Sequence, residues 1–504
     1  MIGVVVARRT HSGDDLFLAG RRLTWGAIGL SLFASNISSS TLVGLTGDAY
    51  RIGLATSAYE WMAGLLLVIG AFTVFPLFLR SRISTIPEFL EKRFDRRLRR
   101  YFSAITIFLA VVVDTAAALY AGSLVAQVFI PDLNLSAFII TLAVVGGLYT
   151  AAGGLAAVVY TDVLQAVILI VGTSAIAVIT FGQFDFSWAE ATRALPDGHL
   201  SILRPADDPV LPWPGLLIGV PILGFYYWIL NQYIVQRVLG AQNITEARRG
   251  AVLAGLLKLS PLFIMMLPGA FAFALLPDLE SPDKVLPTLI QEFLPIGLTG
   301  IVLAGLLSAI LSSVDSALNS ASTLLVLDFI EPIRGRKLTP RQGRRYGTLA
   351  TLGFMLAAAT WAPLIQHFPG LFSYIQAMFA YIVSPVVGVF LVGFFWTRSN
   401  ANGAFAALIS GHLAAALIFS LVQTDVIELH FLYVSGLLFG LSAVLCVLLS
   451  LRLGAAPSTS QTRDLTFSQR DMTPEGKPPA WYADTRYQAG AVVALTLVMV
   501  AVFR

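Results

Sequence analysis

Long apolar stretches alternate with short polar segments along almost the whole chain. A membrane-spanning helix needs about 20 consecutive apolar residues, and runs of roughly that length recur here. The pattern therefore predicts an all-α polytopic membrane protein. About thirteen spans are expected, at residues 25–46, 55–79, 101–130, 135–152, 157–182, 213–238, 247–276, 297–328, 344–366, 371–396, 402–423, 429–453 and 488–503.

The segments between the predicted spans differ in charge. Residues 80–100 contain eight basic side chains and residues 334–345 contain six, whereas residues 183–212 have five acids against two arginines. Loops rich in lysine and arginine stay on the cytoplasmic side of a membrane. The two basic loops and the polar segment 454–487 are therefore predicted to be cytoplasmic, in a protein of the inner (plasma) membrane.

Three regions are predicted from this layout. The first residues, MIGVVVARRT, form an apolar run too short to span a membrane before the arginine pair. We expect residues 1–24 to be the remnant of an N-terminal helix and its cytoplasmic segment. Residues 25–396 are predicted to be a ten-helix transport core, and residues 397–504 to be flanking helices with the cytoplasmic loop 454–487.

Composition narrows the class of protein further. Apolar residues make up 57% of the chain and charged residues 12%, and the mean hydropathy is +0.78. The single cysteine, Cys446, excludes an internal disulfide. The chain has no dinucleotide fingerprint, phosphate loop or metalloprotease motif, and its five histidines are scattered. No enzyme activity and no nucleic-acid partner are therefore expected, since the net charge of +4 belongs to loops beside the helices.

One predicted span carries an unusual run of polar side chains. Residues 31–47 read SLFASNISSSTLVGLTG, with six hydroxyl or amide side chains between residues 35 and 41. Such side chains compete for backbone hydrogen bonds, so we expect the helix to break near Asn36. A second break is expected five spans later, at residues 219–224, GVPILG. Discontinuous helices at the bilayer midplane are where secondary transporters build substrate and ion sites.

Ionisable side chains inside membrane spans are costly and usually functional, and four such positions stand out here. Lys258 is expected near the middle of the bilayer, too deep for its amine to reach water. Glu60 is either functional or an interfacial residue beside Trp61. Asp162 is equally compatible with a helix cap, and Asp315 lies among the hydroxyls of SSVDSALNS. Those hydroxyls suit either a sodium site or close helix packing.

Together these residues resemble the sodium/solute symporter family, and within it the sodium/glucose (galactose) cotransporters. The resemblance implies a LeuT-like five-plus-five inverted repeat with broken helices 1 and 6 and extra flanking helices. It also implies sodium-coupled symport of a hexose by alternating access, with Na⁺ as the coupling ion. The matching motifs are FLAGRRLTWGAIGLSLFASNIS, YEWM, TIPEFLEKRF, YTDVLQ, NQYIVQRVLGAQN, LKLSPLFIMMLPG, SSVDSALNSASTLLVLD, YIQ and GFFW.

The resemblance also implies site residues. Sodium would be held by backbone carbonyls of the first core helix and by groups of the eighth, at Ala34, Ile37, Ala309, Ser312 and Ser313. A second sodium would involve Asp162, Asp315 and Ser316. The sugar would be bound by Asn36, Thr41, Glu60, Tyr227, Trp228, Lys258 and Gln376.

Two positions of the implied sugar site depart from the family pattern. Thr41 stands where sugar transporters often have Gln or His, and Gly224 where they have Asn or Thr. The substrate is therefore open between a hexose and another polar solute such as an inositol or sialic acid. A solute sensor that signals through loop 454–487 is a further alternative from a different class, although that loop carries no recognisable signalling domain.

Overall fold

The computed structural model describes residues 19–150, 155–458, 462–468 and 480–503, with the backbone alone at 19, 145–150, 155–166 and 340. Much of the predicted segment 1–24 and part of loop 454–487 therefore lie outside the described residues. In chain order the first helices are α1 Trp25–Asn36, α2 Ser39–Ile52, α3 Ser57–Phe72, α4 Val74–Arg80, α5 Ile86–Arg93, α6 Arg96–Phe108, α7 Ala116–Phe129, α8 Leu135–Thr150, α9 Leu155–Gly182, α10 Trp188–Arg193 and α11 Trp213–Phe225. They continue as α12 Gln232–Leu239, α13 Ile244–Leu257, α14 Leu267–Leu275, α15 Val285–Phe293, α16 Ile296–Leu324, α17 Glu331–Arg334, α18 Pro340–Trp361, α19 Leu371–Phe395, α20 Ala401–Gln423, α21 Phe431–Arg452 and α22 Thr485–Val502.

Shorter helical elements complete the chain. π-helical segments lie at Leu109–Thr115, Tyr226–Leu230, Leu262–Met266 and Leu325–Ile330. 3-10 turns lie at Ala19–Arg21, Gly53–Thr56, Pro282–Lys284, Ala362–His367 and Trp481–Ala483. Among the described residues there are two isolated bridges and no β-strand. The prediction of an all-helical fold is therefore confirmed.

Every predicted span coincides with helix in the described part of the chain. Among the residues that the structure describes, ten continuous helical stretches are long and apolar enough to cross a membrane, and two shorter apolar helices lie at Leu135–Val144 and Val167–Gly182. The first predicted span, 25–46, is divided between α1 and α2, so its two halves are each short. Its second half continues through Gly53–Thr56 into α3, which makes one stretch, Ser39–Phe72, out of two predicted spans.

The first span breaks at Ile37 and Ser38, where the polar run predicted it. In a continuous helix the Ser38 amide would donate to the Ala34 carbonyl, but here it donates to the Asn36 carbonyl at 2.7 Å. The Thr41 amide would likewise donate to the Ile37 carbonyl, but it donates to the Ser38 hydroxyl at 3.3 Å, as in a helix N-cap. The break therefore removes the usual helical donors from the Ala34 and Ile37 carbonyls.

The second break lies at Asn231, and the prediction of a break at residues 219–224 is wrong. Helix α11 continues through Pro221, and the chain leaves helical geometry only at Asn231, with φ −68° and ψ 121°. The Asn231 side chain then caps α12 by accepting the Tyr233 amide at 3.3 Å. The glycines of GVPILG serve packing instead: a Cβ on Gly219 would lie 2.6 Å from the Leu432 carbonyl oxygen.

The two halves of this span attach to different neighbours. Helix α11 packs through Gly215 and Gly219 against Leu432 of α21. Helix α12 is held to the first span, since the Arg237 guanidinium donates to the Ser31 hydroxyl at 3.0 Å. Helix α11 also packs against α3 and α19, so the Asn231 break separates a segment that contacts α3, α19 and α21 from one that is held to the first span.

Candidate functional site

The two breaks border a cavity among the helices, with a volume of about 80 Å³. Its mixture of aromatic and polar walls suits a small polar ligand. The lining residues come mainly from both halves of the first span, α3, the Asn231 span and α19. They include Ser35, Asn36, Ser38, Ser40, Thr41, Tyr59, Glu60, Asp114, Gly224, Tyr227, Trp228, Tyr233, Ser313, Phe372, Gln376 and Phe379.

Three predicted sugar ligands form one buried polar network. The Lys258 ammonium contacts the Glu60 carboxylate at 2.5 Å and also donates to the Asn36 amide oxygen. Lys258 is fully buried and Glu60 is 4% exposed. Lys258 follows the last residue of α13, where the negative end of the helix dipole favours a cation. A charge this deep requires such partners, because an unpaired ammonium in a low-dielectric interior is very costly.

Lys258 lies behind the wall of the cavity, whereas Glu60 and Asn36 line it. The ammonium also lies 4.8 Å from the centre of the Trp228 ring, a cation–π contact. In this arrangement Lys258 fixes the orientation of the two side chains that face the cavity. A direct contact between Lys258 and a sugar stays a prediction.

The other predicted sugar ligands surround the same space. Tyr227 and Trp228 form an edge-to-face pair with ring centres 5.1 Å apart, and the Tyr227 hydroxyl shares a 2.8 Å hydrogen bond with that of Tyr233. Gln376, on α19, lines the cavity and is 9% exposed. Thr41 also lines it and shares a 3.2 Å hydrogen bond with the Ser38 hydroxyl.

Because Gly224 has no side chain, the side chain of Leu66 packs directly against its backbone. A Cβ at this position would lie 2.5 Å from the Leu66 Cδ1 atom. An Asn or Thr here would displace Leu66, so the departure from the family pattern changes the shape of the cavity.

A second, smaller cavity adjoins the first break. It is lined by Ala34, Ser35, Leu169, Tyr233, Ala309, Ser312, Ser313 and Ser316. Four of the five predicted sodium positions therefore meet here, and Ile37 does not line this cavity. The Ala34 carbonyl has lost its helical donor and the serines supply hydroxyls, so the donors are neutral oxygens. Ser313 and Tyr233 line both cavities, which makes the two spaces neighbours.

The predicted second sodium site is brought together only in part. Ser316 lines the small cavity. Asp315 is 4% exposed and does not line it. The side chain of Asp162 lies outside the described residues. In the described part of the chain no group of three or more His, Cys, Asp or Glu side chains is placed to hold a metal.

Tyr233 and Asp114 are two polar residues among those that line the large cavity and are absent from the predicted site. Tyr233 follows the second break, whose position was not predicted. Asp114 lies in the π-helical segment Leu109–Thr115. An acid inside the apolar stretch 101–130 is the sequence signal that points to it.

Comparison with known proteins identifies the family. The model of the sodium:solute symporter family matches residues 16–411. The chain belongs to that family. The symporter is 33% identical to rabbit (Oryctolagus cuniculus) sodium/glucose cotransporter 1, over 89% of this chain and 76% of that protein. It is also 33% identical to the sodium/myo-inositol cotransporter of dog (Canis lupus familiaris), over 91% of this chain and 72% of that protein.

Solved structures agree on the fold. A substrate-bound, outward-open Na⁺-coupled sialic acid symporter superposes with a TM-score of 0.77 at 23% identity, covering 90% of this chain and 96% of that one. Mhp1, a nucleobase-cation-symport-1 family transporter, gives 0.60 at 14% identity, covering 90% and 99%. The LeuT-like inverted repeat with two broken helices is therefore confirmed. The protein is a multi-pass, sodium-coupled solute symporter, and the family consists of transporters, which supports a role other than catalysis.

Proposed function

We propose that this symporter carries a hexose or a closely related polyol into the cell across the plasma membrane, driven by the sodium gradient. The observation that supports the proposal best is the convergence of Asn36, Glu60 and Gln376 on one cavity with an aromatic pair. A carboxylate and two amides alternate donors and acceptors that match vicinal hydroxyls. Aromatic faces pack against the apolar face of a sugar ring.

The proposed roles follow the geometry. Glu60, Asn36, Thr41 and Gln376 hydrogen bond the hydroxyls, and the Tyr227–Trp228 pair closes one side of the cavity. Lys258 holds Glu60 and Asn36 in place. The core at residues 25–396 carries the cycle, and residues 397–504 flank it.

The proposed sodium site is the small cavity beside the first break. Ala34 would supply its freed backbone carbonyl, and Ser312 and Ser313 their hydroxyls. Ile37 would join if its carbonyl turned toward this space, and Ala309 contributes its backbone and a small side chain that leaves room. Sodium bound here would favour the arrangement of the first break and α16 that admits substrate, so the ion acts through its differential affinity for two states.

The alternative substrate is a cyclic polyol. The 33% identity to a sodium/myo-inositol cotransporter equals that to a sodium/glucose cotransporter. Glucose and inositol both present a ring of hydroxyls. The cavity wall, which departs from the family pattern at Thr41 and Gly224, is compatible with either substrate.

Uptake into proteoliposomes tests the function. We expect labelled glucose, galactose or myo-inositol to accumulate with an inward sodium gradient, and not with an equal potassium gradient. Competition among the three then ranks the substrates. Sodium-dependent uptake of none of them would contradict the proposal and favour an unrelated solute or a sensor.

A further inference from the structure

Asp114 lies in the wall of the large cavity, on a backbone segment whose irregular conformation is fixed by hydrogen bonds. It lies in the π-helical segment Leu109–Thr115, and π turns inserted in helices occur often at functional sites. The Thr115 hydroxyl donates to the Ala110 carbonyl at 2.7 Å, and the Tyr374 hydroxyl donates to the Val112 carbonyl at 2.7 Å. The irregular backbone that carries Asp114 is therefore held by hydrogen bonds on both sides.

The two acidic residues of the cavity differ in their partners. Glu60 and Asp114 are the charged residues that line it in the described part of the chain, and Lys258 pairs with Glu60. Asp114 has no hydrogen bond or ion pair with any residue that the structure describes. Its neighbours are the hydroxyls of Tyr226, Tyr227 and Tyr233, close enough to interact electrostatically with it. The carboxyl group of Asp114 is thus available to a ligand.

We propose that Asp114 determines specificity in this cavity: its carboxylate accepts a hydrogen bond from a substrate hydroxyl or protonated amine and excludes solutes that carry a carboxylate. The inference rests on the proposed function in that the cavity is the substrate site. The Asp114 carboxylate would repel an acidic solute at close range, and no basic side chain lines the cavity in the described part of the chain to bind a second carboxylate. The substrate is therefore a neutral sugar or polyol, or an amino sugar, in preference to sialic acid or a uronic acid.

Matched substrates test this selection. Uptake of glucose, glucosamine and glucuronate, which share one ring scaffold, is compared in proteoliposomes for the wild type and Asp114→Asn. We expect the glucuronate-to-glucose ratio to rise about tenfold in the variant and the glucosamine-to-glucose ratio to fall by a similar factor. Asp114→Glu keeps the charge and should keep the wild-type order. Unchanged ratios in Asp114→Asn would overturn the inference.

A second measurement does not depend on which solute is carried. Cys446 is buried, so Thr41→Cys in a Cys446→Ser background places one reactive thiol in the cavity. We expect a cationic methanethiosulfonate to modify this thiol faster than an anionic one, after each rate is divided by the rate of the same reagent with a free thiol in solution. Adding Asp114→Asn should reduce this preference about tenfold. Asp425→Asn, which removes an exposed carboxylate outside the cavity, should leave it unchanged.

The two assays separate the possible failures. If the wild type takes up no sugar but the Thr41→Cys thiol still prefers the cationic reagent, the proposed function is contradicted and the negative charge of the cavity is supported. Sodium-dependent uptake of glucuronate by the wild type at the rate of glucose, or a thiol preference that Asp114→Asn does not change, would overturn the role of Asp114.

Discussion

Removing the charge of Lys258 should destabilise the protein far more than removing a comparable charge at the surface. In Lys258→Met the Glu60 carboxylate stays buried without its cation, and the Asn36 oxygen loses a charged donor. Breaking a buried ion pair by removing one partner costs about 3–5 kcal/mol. The lost contact with the Trp228 ring places the expected cost toward the upper end of this range.

The double variant isolates the pair. In Glu60→Gln with Lys258→Met both charges are gone, and a buried pair replaced by neutral groups often costs little. We expect the double variant to be more stable than Lys258→Met alone, with a coupling free energy of about 2–3 kcal/mol. The free energy of unfolding is measured by tryptophan fluorescence as the fraction of SDS in mixed micelles rises.

Lys284→Met is the matched control. Lys284 pairs with Glu280 at 2.7 Å, but the side chains are 30% and 83% exposed. Solvent screens such an exposed pair, so its loss should change the free energy of unfolding little. A loss of stability in Lys258→Met no larger than that in Lys284→Met, or additive effects of the changes at Glu60 and Lys258, would contradict a coupled buried ion pair.

Four further outcomes are expected. Ser313→Ala should abolish sodium-dependent uptake, because it removes an oxygen that lines both cavities. Uptake measured at increasing sodium concentration checks this. Gln376→Ala should weaken sugar binding about tenfold, the loss of roughly one hydrogen bond of 1.4 kcal/mol, while sodium binding measured by calorimetry stays. Gly219→Ala should lower unfolding free energy by about 1–3 kcal/mol, because the new methyl would meet the Leu432 carbonyl 2.6 Å away. Burial lowers the pKa of His199 from 6.5 to about 4, so the unfolded chain binds more protons than the folded protein between these pH values. The melting temperature should therefore fall as the pH drops from 6.5 to 4, and it should fall less in His199→Gln.

Controls come from the same chain. Ser320→Ala lies on α16 but outside both cavities, so sodium-dependent uptake should persist. Gly353→Ala is also within a helix and its Cβ would meet no atom within 4 Å, so it should not destabilise. Uptake by Ser313→Ala equal to that of Ser320→Ala would contradict the sodium site. Equal losses of stability in the two glycine variants would contradict the packing argument.

The spans and the first break are predictable from the sequence because both depend on local properties. Apolar length sets the spans. The Ser38 hydroxyl and its neighbours compete for backbone hydrogen bonds within four residues of where the helix opens. Two short helices outside the spans, α5 and α10, also have local signals, since Thr85 and Ser187 cap them by accepting the amides of Glu88 and Glu190.

The remaining features depend on distant partners. Gly219 suggests a flexible helix until Leu432, far along the chain, is found against it. The depth of Lys258 is visible in the sequence, but its position behind Glu60 and Asn36 follows from how three helices pack. The chemistry of the cavity wall was therefore predictable by residue type, and its geometry was not.

The attachment of the two halves of the sixth span has a mechanical consequence. Helix α11 touches α21, which is joined to α19 by a 2.8 Å hydrogen bond between Ser435 and Ser384. Helix α12 is tied through Arg237 to the first span. The extended backbone at Asn231 separates the two helices, so a change in the angle between them would leave the hydrogen bonds within each half intact. We expect α21 and α19 to restrain the half that carries Gly224 of the cavity wall, while the other half stays with the first span.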